Sequence, residues 1–432
     1  MLGSLQIGEQ FETAEFGTVR VGELLGSGAQ GEVFKVATDR GERALKWYYP
    51  ATATAEQREA LQQVVDRAPK DRTRLLWPEA LIERDGSFGY VMELRPKEFV
   101  TLSKVVAGRV DLDLPTLIRA AIGLVRAFRE IQTAGLAYRD IKDPNVFINP
   151  STGDILVCDN DNCVANSTFS QIKGTTDFCA PEILVGGASP NNTTDRHSLS
   201  VLLFMLLVRG HPLDGIRERQ IKNLNEPARV YLYGENPLYV FDRNSSENAL
   251  VPGVHDAVAR HYSIWPQDLH DLWFAAFERG LHNPVERPTL LEWLTVLLRV
   301  HDGLRRCASC QVLTVAEGTT TGTRDCWNCG NPVELGPRCV IGDRTVFLSP
   351  GVSLFDHHFD NSPVSTDFTT PRFTVTEHPT NADVLGLRND GDRSETYTSP
   401  AGEMTTVEPG RSALVTDGAE ITTSTSNIRF LT

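Results

Sequence analysis

Ten residues, Tyr138-Arg139-Asp140-Ile141-Lys142-Asp143-Pro144-Asn145-Val146-Phe147, restrict this chain more than any other stretch. They set a carboxylate, then an ammonium two residues on and a carboxamide three further, and these spacings serve phosphoryl transfer. A carboxylate orients a hydroxyl, an ammonium offsets phosphoryl charge, and an amide oxygen holds a hard cation. The bland alternative is a polar turn between two apolar segments. It loses weight because other motifs fall in fixed order around these residues.

Upstream, residues 20 to 36 read as strand, glycine turn, strand. The turn is Gly26-Ser27-Gly28-Ala29-Gln30-Gly31, followed by Glu32 and Val33. Glycines let backbone amides approach phosphates, and Val33 offers an apolar wall to a base. Because Val33 to Ala37 continues as strand, a dinucleotide-binding helix is disfavoured. Arg43-Ala44-Leu45-Lys46 then has an apolar pair before a lysine that could meet phosphates, against the plain reading of a surface lysine. A helix over Thr54 to Val65 should bring a glutamate to Lys46, Glu59 by choice and Glu56 otherwise. Gly89 to Leu94 reads as a buried strand entering a linker before Pro96. Backbone near Glu93, Leu94 and Arg95 would bond a base edge, and Met92 either limits pocket depth or is ordinary core.

Downstream, Leu117, Ile118, Ala121, Leu124, Val125 and Phe128 recur at helical spacing within Leu114 to Thr133, a helix that delivers the chain to residue 138. Ile155 to Cys158 is a short buried strand, and Asp159 directly after it is the second expected cation ligand, preferred over Asp161. In Gly174-Thr175-Thr176-Asp177-Phe178-Cys179-Ala180-Pro181-Glu182, Thr175 can bond toward Asp140 and Lys142, while Glu182 needs a buried cation, for which Arg287 is the natural partner. Asp195 opens an apolar helix running to Val208 and should accept hydrogen bonds from the backbone of the 138–147 loop.

Taken together, residues 20 to 300 resemble a eukaryotic-type (Hanks-type) serine/threonine protein kinase, with each major motif in order. The resemblance implies a two-lobed α+β fold, with a β-rich lobe over 1–95 and a mainly helical lobe over 96–302. It implies an enzyme that uses ATP with Mg2+ (or Mn2+) to phosphorylate protein substrates: Asp140, Lys142, Lys46 and Glu59 catalytic, Asn145 and Asp159 on the metal. ATP would contact Gly26, Ser27, Gly28, Gly31, Val33, Ala44, Lys46, Met92, Glu93 and Leu94, and Thr175, Glu182, Asp195 and Arg287 would be structural. The chain departs from the family at Tyr138, usually histidine, and at Asn160 and Asp161, usually phenylalanine and glycine. That departure leaves open a catalytically weak, nucleotide-binding pseudokinase scaffold. Phosphorylation at Ser167, Thr168, Ser170, Thr175 or Thr176, answered by Arg139, would be the regulatory route.

Cysteine spacing defines the next segment. Cys307-Ala308-Ser309-Cys310 and Cys326-Trp327-Asn328-Cys329 are separated by fifteen residues, which is zinc-ribbon spacing for a closed Zn2+ site over 303–338. Cys339 reads as a spare apolar residue. Residues 339–432 are rich in threonine, serine and short β-prone runs with glycine turns, which predicts a β-sandwich. Gly386-Leu387-Arg388-Asn389, Pro409-Gly410 and Leu414 to Gly418 resemble the latter half of a forkhead-associated domain. Kinase, ribbon and β-domain together resemble bacterial kinases found with a PPM-type phosphatase and a von Willebrand A protein, which that similarity implies as partners. A net charge of −14 gives no electrostatic reason to bind nucleic acid or anionic membrane. With no secretory signal at Met1 to Gln10 and no apolar run long enough to span a bilayer, a cytoplasmic location is expected.

Overall fold

A computed structural model describes residues 5–166, 174–316, 324–333, 336–360 and 368–432. The chain divides into two compact units, one of residues 1–259 with 273–290, the other of 260–272 with 291–432. The helix Leu290–Asp302, expected in the helical lobe, lies in the second unit from Leu291 onward.

The first unit begins with an antiparallel six-stranded sheet of β1 (Gln10–Thr13), β2 (Gly17–Ser27), β3 (Gly31–Thr38), β4 (Gly41–Tyr48), β5 (Ala80–Arg84) and β6 (Ser87–Glu93), in the order β1-β2-β3-β4-β6-β5. From Ala44 onward strand β4 is buried on both faces, and its two-residue period divides its side chains cleanly. Leu45 and Trp47 join Val19, Val21, Phe34 and Val91 on one side. Ala44 and Tyr48 join Leu61, Tyr90, Met92 and Leu156 on the other. Lys46 shares that second face and is only 6% exposed. Helix α1 (Ala55–Asp66) is capped by Thr54, whose hydroxyl accepts from the Gln57 amide at 3.2 Å, and it buries Leu61 and Val64.

The helical part contains β7 (Val100–Thr101), α2 (Leu102–Val106), α3 (Leu114–Thr133), β8 (Leu136–Ala137), β9 (Val146–Ile148), β10 (Ile155–Val157), β11 (Val164–Ala165), α4 (Pro181–Leu184) and α5 (Asn192–Val208). Asp113 caps α3 by accepting from the Thr116 amide at 2.9 Å, and all six of its periodic apolar residues are buried. α5 is capped by Asn191 and buries nearly every side chain from Thr194 to Val208. Between these helices, β9 and β10 pair antiparallel with Val146 opposite Val157, so the loop before β9 and the turn after β10 emerge side by side. Residues 211–259 carry short helices at Ile216–Gln220 and Glu226–Val230, and a third, Asp256–Ser263, runs from the first unit into the second.

In the second unit, two antiparallel sheets share one apolar core. The larger contributes Ile341, Val346, Val407, Ile421, Ile428 and Phe430, the smaller Leu354, Phe373, Val375, Leu387 and Ala413. Cys339 is fully buried in this core, as its reading as an apolar residue expects. Among the described residues no helix is long and apolar enough to cross a membrane.

Candidate functional site

The 138–147 loop is held from below by one carboxylate. Asp195, at the start of α5, accepts from the backbone amides of Tyr138 at 2.6 Å and Arg139 at 3.1 Å. Burial pushes its carboxyl up to about 6, against those two hydrogen bonds and the Arg139 charge. Arg139 adopts a left-handed backbone (φ 74°) and donates from Nε to the Asn162 carbonyl at 2.6 Å. Tyr138 packs edge-on against Phe128 and donates its hydroxyl to the Cys158 carbonyl, fastening the loop to the end of β10. Because Tyr138 and Arg139 are fixed by buried groups, the next residue, Asp140, is presented to the cleft with little freedom.

Three side chains close a triangle at that point. Lys142 Nζ lies 2.7 Å from Asp140 Oδ2 and donates to Thr175 Oγ1 at 3.1 Å, and Thr175 donates to Asp140 Oδ1 at 3.0 Å. Asn145 donates from Nδ2 to the Asp140 carbonyl at 3.0 Å, which leaves its amide oxygen as the atom suited to a cation. An open cleft is lined by the glycine turn Gly26–Gly31, Val33, Lys46, Asp140, Lys142, Asp159 and Thr175. Val33, Ala44, Met92 and Leu94 belong to one apolar cluster with Leu156 and Phe147, while Glu93 is exposed at the end of β6. Glu182 and Arg287 form a two-pronged ion pair at 2.7 and 2.8 Å, with Arg287 fully buried and also donating to the Gly280 and Thr193 carbonyls.

The lysine's partners differ from expectation. Glu59 and Glu56 are both exposed on α1, and neither is a described partner of Lys46. Helical period explains the correction: Gln57, Leu61 and Val64 share the inward face, which turns 56 and 59 outward. Lys46 instead lies 2.8 Å from Asp161 Oδ2 and 3.3 Å from Asp159 Oδ1, and it donates to Gln30 Oε1 at 3.2 Å. Burial opposes the lysine's charge, but Asp161 and then Asp159 outweigh it and hold its pKa above the ordinary lysine value. Burial also lifts the Asp159 carboxyl, with Lys46 opposing. Asp161 is held below the usual carboxylate range, because Lys46 and two tyrosine hydroxyls outweigh its burial.

The turn after β10 explains how the two aspartates face apart. Asp159 takes a left-handed backbone (φ 52°, ψ 36°), and a single 3-10 turn over Asn160–Asn162 follows. Asn160, fully buried, donates from Nδ2 to the Leu76 and Val157 carbonyls at 2.9 and 2.8 Å. It thus pins the turn with hydrogen bonds from a buried amide. Asp159 then lines the cleft and Asp161 points inward.

The model for the protein kinase domain matches residues 19–251, more than half of the chain. The chain belongs to the protein kinase domain family. Its similarity to curated relatives is local. Serine/threonine-protein kinase YPK3 of Saccharomyces cerevisiae is 35% identical over 127 residues, 26% of this chain and 24% of that protein. Protein kinase gsk3 of Schizosaccharomyces pombe is 28% identical over 164 residues, 35% of this chain and 42% of that protein. Serine/threonine-protein kinase SBK2 of Rattus norvegicus is 29% identical over 140 residues, 31% and 38% respectively. The chain therefore spans less than half the length of each of these relatives.

Within the kinase domain, sequence reasoning singled out Asp140, Lys142, Asn145, Asp159, Thr175 and Asp195, and the fold brings them to one loop and one cleft. It missed the buried role of Asp161 and did not weigh Tyr48, Tyr90 or Gln57. One signal was available: Tyr48 stands two residues from Lys46 on a strand and so must share its face. Of the expected phosphorylation sites, Ser167, Thr168 and Ser170 lie outside the described residues. Thr176 donates to Glu226 at 2.6 Å.

A second cluster lies in the tail. Sγ of Cys307 is 3.7 Å from that of Cys329, and Cys310 is 3.6 Å from Cys326, all four lying within 4.8 Å of one another. The two halves repeat one backbone pattern. Gln311 N bonds Cys307 O at 2.9 Å and Gly330 N bonds Cys326 O at 2.8 Å, and Gln311 and Gly330 both have positive φ, 62° and 71°. Backbone amides directed at the sulfurs, Cys310's toward Cys307 and Val312's toward Cys310, lower both thiols, Cys310 to about 6. Cys329 goes the other way: against the Asn331 amide, burial and the neighbouring Cys310, Cys307 and Cys326 sulfurs raise it to about 11. Cys307 and Cys310 are thus the two disposed to be thiolates.

Proposed function

We propose that this protein is an ATP-dependent protein serine/threonine kinase that transfers the γ-phosphoryl group to protein hydroxyls. One observation carries the reading. Asp140, Lys142 and Thr175 close a hydrogen-bonded triangle on the same cleft that Lys46, Asp159 and the glycine turn line. Asp140, held by Asp195 through the backbone, orients and accepts the proton of the incoming hydroxyl. Lys142 offsets charge on the migrating phosphoryl group, and Thr175 fixes both. Lys46 meets the non-transferred phosphates, while Ser27 and the glycines Gly26, Gly28 and Gly31 offer backbone amides. Val33, Ala44, Met92 and Leu94 form the apolar bed for the base, with backbone at Glu93 and Leu94 for its polar edge. Asn145 and Asp159 present hard oxygen donors that fit magnesium or manganese, and such an ion would neutralise phosphate charge.

The tail supports regulation or recruitment. Four thiolates bound to one zinc at about 2.3 Å sit roughly 3.8 Å apart, and the observed 3.6 and 3.7 Å separations fit that tetrahedron. Such a site is closed and structural. The β-domain, read as a forkhead-associated-like sandwich, is supported by its two sheets sharing one core and by Asn389 tying the Arg393 and Val407 carbonyls together. A PPM-type phosphatase and a von Willebrand A protein are the partners to test with it.

Labelled ATP and magnesium should yield labelled protein, whether self or substrate. An Asp140→Asn variant should lose on the order of 10²-fold or more of that rate. Equal incorporation in both proteins would remove the assignment. Nucleotide-dependent thermal stabilisation without transfer in either would favour the scaffold reading.

A further inference from the structure

We propose that Asp161, held by Tyr48 and Tyr90, is the positioning residue for Lys46, so that the lysine is set by the sheet and the turn after β10 and not by helix α1. This rests on the kinase reading and names how that site is organised.

The geometry starts in β4. Lys46 and Tyr48 are two residues apart on one strand and face the same way. Tyr90, on β6, is the cross-strand partner of Lys46. The three side chains therefore line one patch of a single sheet, and the ammonium lies 5.5 and 5.9 Å from the two ring centres. Asp161 completes the patch. Its Oδ2 receives Lys46 at 2.8 Å and the Tyr48 hydroxyl, and its Oδ1 receives the Tyr90 hydroxyl at 2.9 Å. Asp161 is fully buried, so water contributes nothing to its charge and these three donors must. Burial and the neighbouring carboxylate keep both tyrosines protonated, hence donors.

Helix α1 packs on this patch through apolar Leu61, which shares a cluster with Tyr48 and Tyr90, and through Gln57 Nε2, which donates to the Tyr48 hydroxyl at 3.3 Å. Among the described contacts it brings no carboxylate to Lys46. A neutral amide there cannot act as counter-ion. The lysine thus has a built-in buried carboxylate that the turn supplies, held there by Asn160 and the left-handed Asp159, and that helix α1 does not supply. Asp159, exposed to the cleft, stays available as cation ligand.

Two measurements test this on the full-length protein. In the first, kcat and the KM for ATP are compared for wild type, Asp161→Asn and the pair Glu56→Gln/Glu59→Gln. The expected result is a kcat loss on the order of 10²-fold for Asp161→Asn, with the glutamate pair unchanged. An equal loss in the glutamate pair would overturn the proposal. The second needs no turnover: acetylation of Lys46 by an N-hydroxysuccinimide ester, followed by peptide mass spectrometry. A lysine no longer held by the Asp161 carboxylate is freer to meet the reagent, so faster labelling than in wild type is expected. Should Asp161→Asn not fold, Tyr48→Phe/Tyr90→Phe keeps the ion pair without the two hydroxyl donors, and smaller changes in the same direction are expected. Unchanged Lys46 labelling in the variants would overturn the proposal. A wild-type protein without transfer activity but with labelling that responds to Asp161 would fail the kinase reading alone and uphold the positioning.

Discussion

Arg287 is fully buried, and its guanidinium meets Glu182 with two parallel hydrogen bonds while also serving two backbone carbonyls. Removing the carboxylate leaves a buried cation with only neutral acceptors. Glu182→Ala should therefore cost about 3 kcal/mol or more, read as a lower urea midpoint at unchanged slope, whereas a surface pair such as Arg58 with Glu83 should cost well under 1 kcal/mol. The Glu182–Arg287 pair was legible in sequence because each residue sits in a motif of its own. Asp140, Thr175 and Asp195 were legible for the same reason. Glu59 was misassigned because which residue of a helix faces inward depends on what packs against it, and here Leu61 and Val64 decide. Asp161 was undervalued because its site is built from a cross-strand neighbour, Tyr90, that only the β4–β6 register brings opposite Lys46.

The glycine turn separates structural from functional use of the same residue type. A Cβ on Gly31 would stand 2.1 Å from the Trp47 carbonyl, so Gly31→Ala must displace β3 from β4 and should cost about 1–3 kcal/mol. A Cβ on Gly28 would meet nothing within 4 Å. Gly28→Ala should leave the thermal midpoint unchanged and raise the KM for ATP, because only bound phosphates would feel the methyl. Equal loss of stability in both variants would contradict this division. Strand and helix existence was legible here: α3 spans Leu114–Thr133 as its apolar period implied, and α1 starts where Thr54 caps it. The cysteine knuckles make a comparable element-level prediction. Metal analysis should find zinc in the purified protein, and Cys326→Ser should abolish it. Loss of a site contributing on the order of 10 kcal/mol should expose the remaining thiols to a disulfide reagent. Full zinc content in Cys326→Ser would rule out a four-cysteine site.

At the scale of the whole molecule, each unit carries a buried histidine that resists protonation, and each contributes a pH dependence with a definite sign. His197, in the first unit, is 2% exposed and is lowered by burial and then by the charges of Arg287 and His211. His357, in the second, is fully buried with neither ring nitrogen partnered among the described residues. Burial and then His358 push it down to about 2, against Asp302, with Arg344 and His301 adding to the depression. An unfolded histidine takes up its proton near pH 6.5, so below that pH the unfolded chain gains protons that the folded chain does not. The stability these groups contribute is present above pH 6.5 and declines as pH falls, by about 1.4 kcal/mol per unit of pH for each histidine. Asp195, raised to about 6, and His211, raised by Asp214 against its burial, run the other way in this window, so the test is the difference that one histidine makes in calorimetry between pH 7.5 and 5.5. His357→Leu should remove from the slope roughly the 1.4 kcal/mol due to one histidine over the last pH unit, whatever its effect on the midpoint at pH 7.5. The comparison is of slopes, so any packing change from leucine cancels. Equal slopes in wild type and His357→Leu would mean that the folded imidazole protonates as readily as the unfolded one, and would overturn this account.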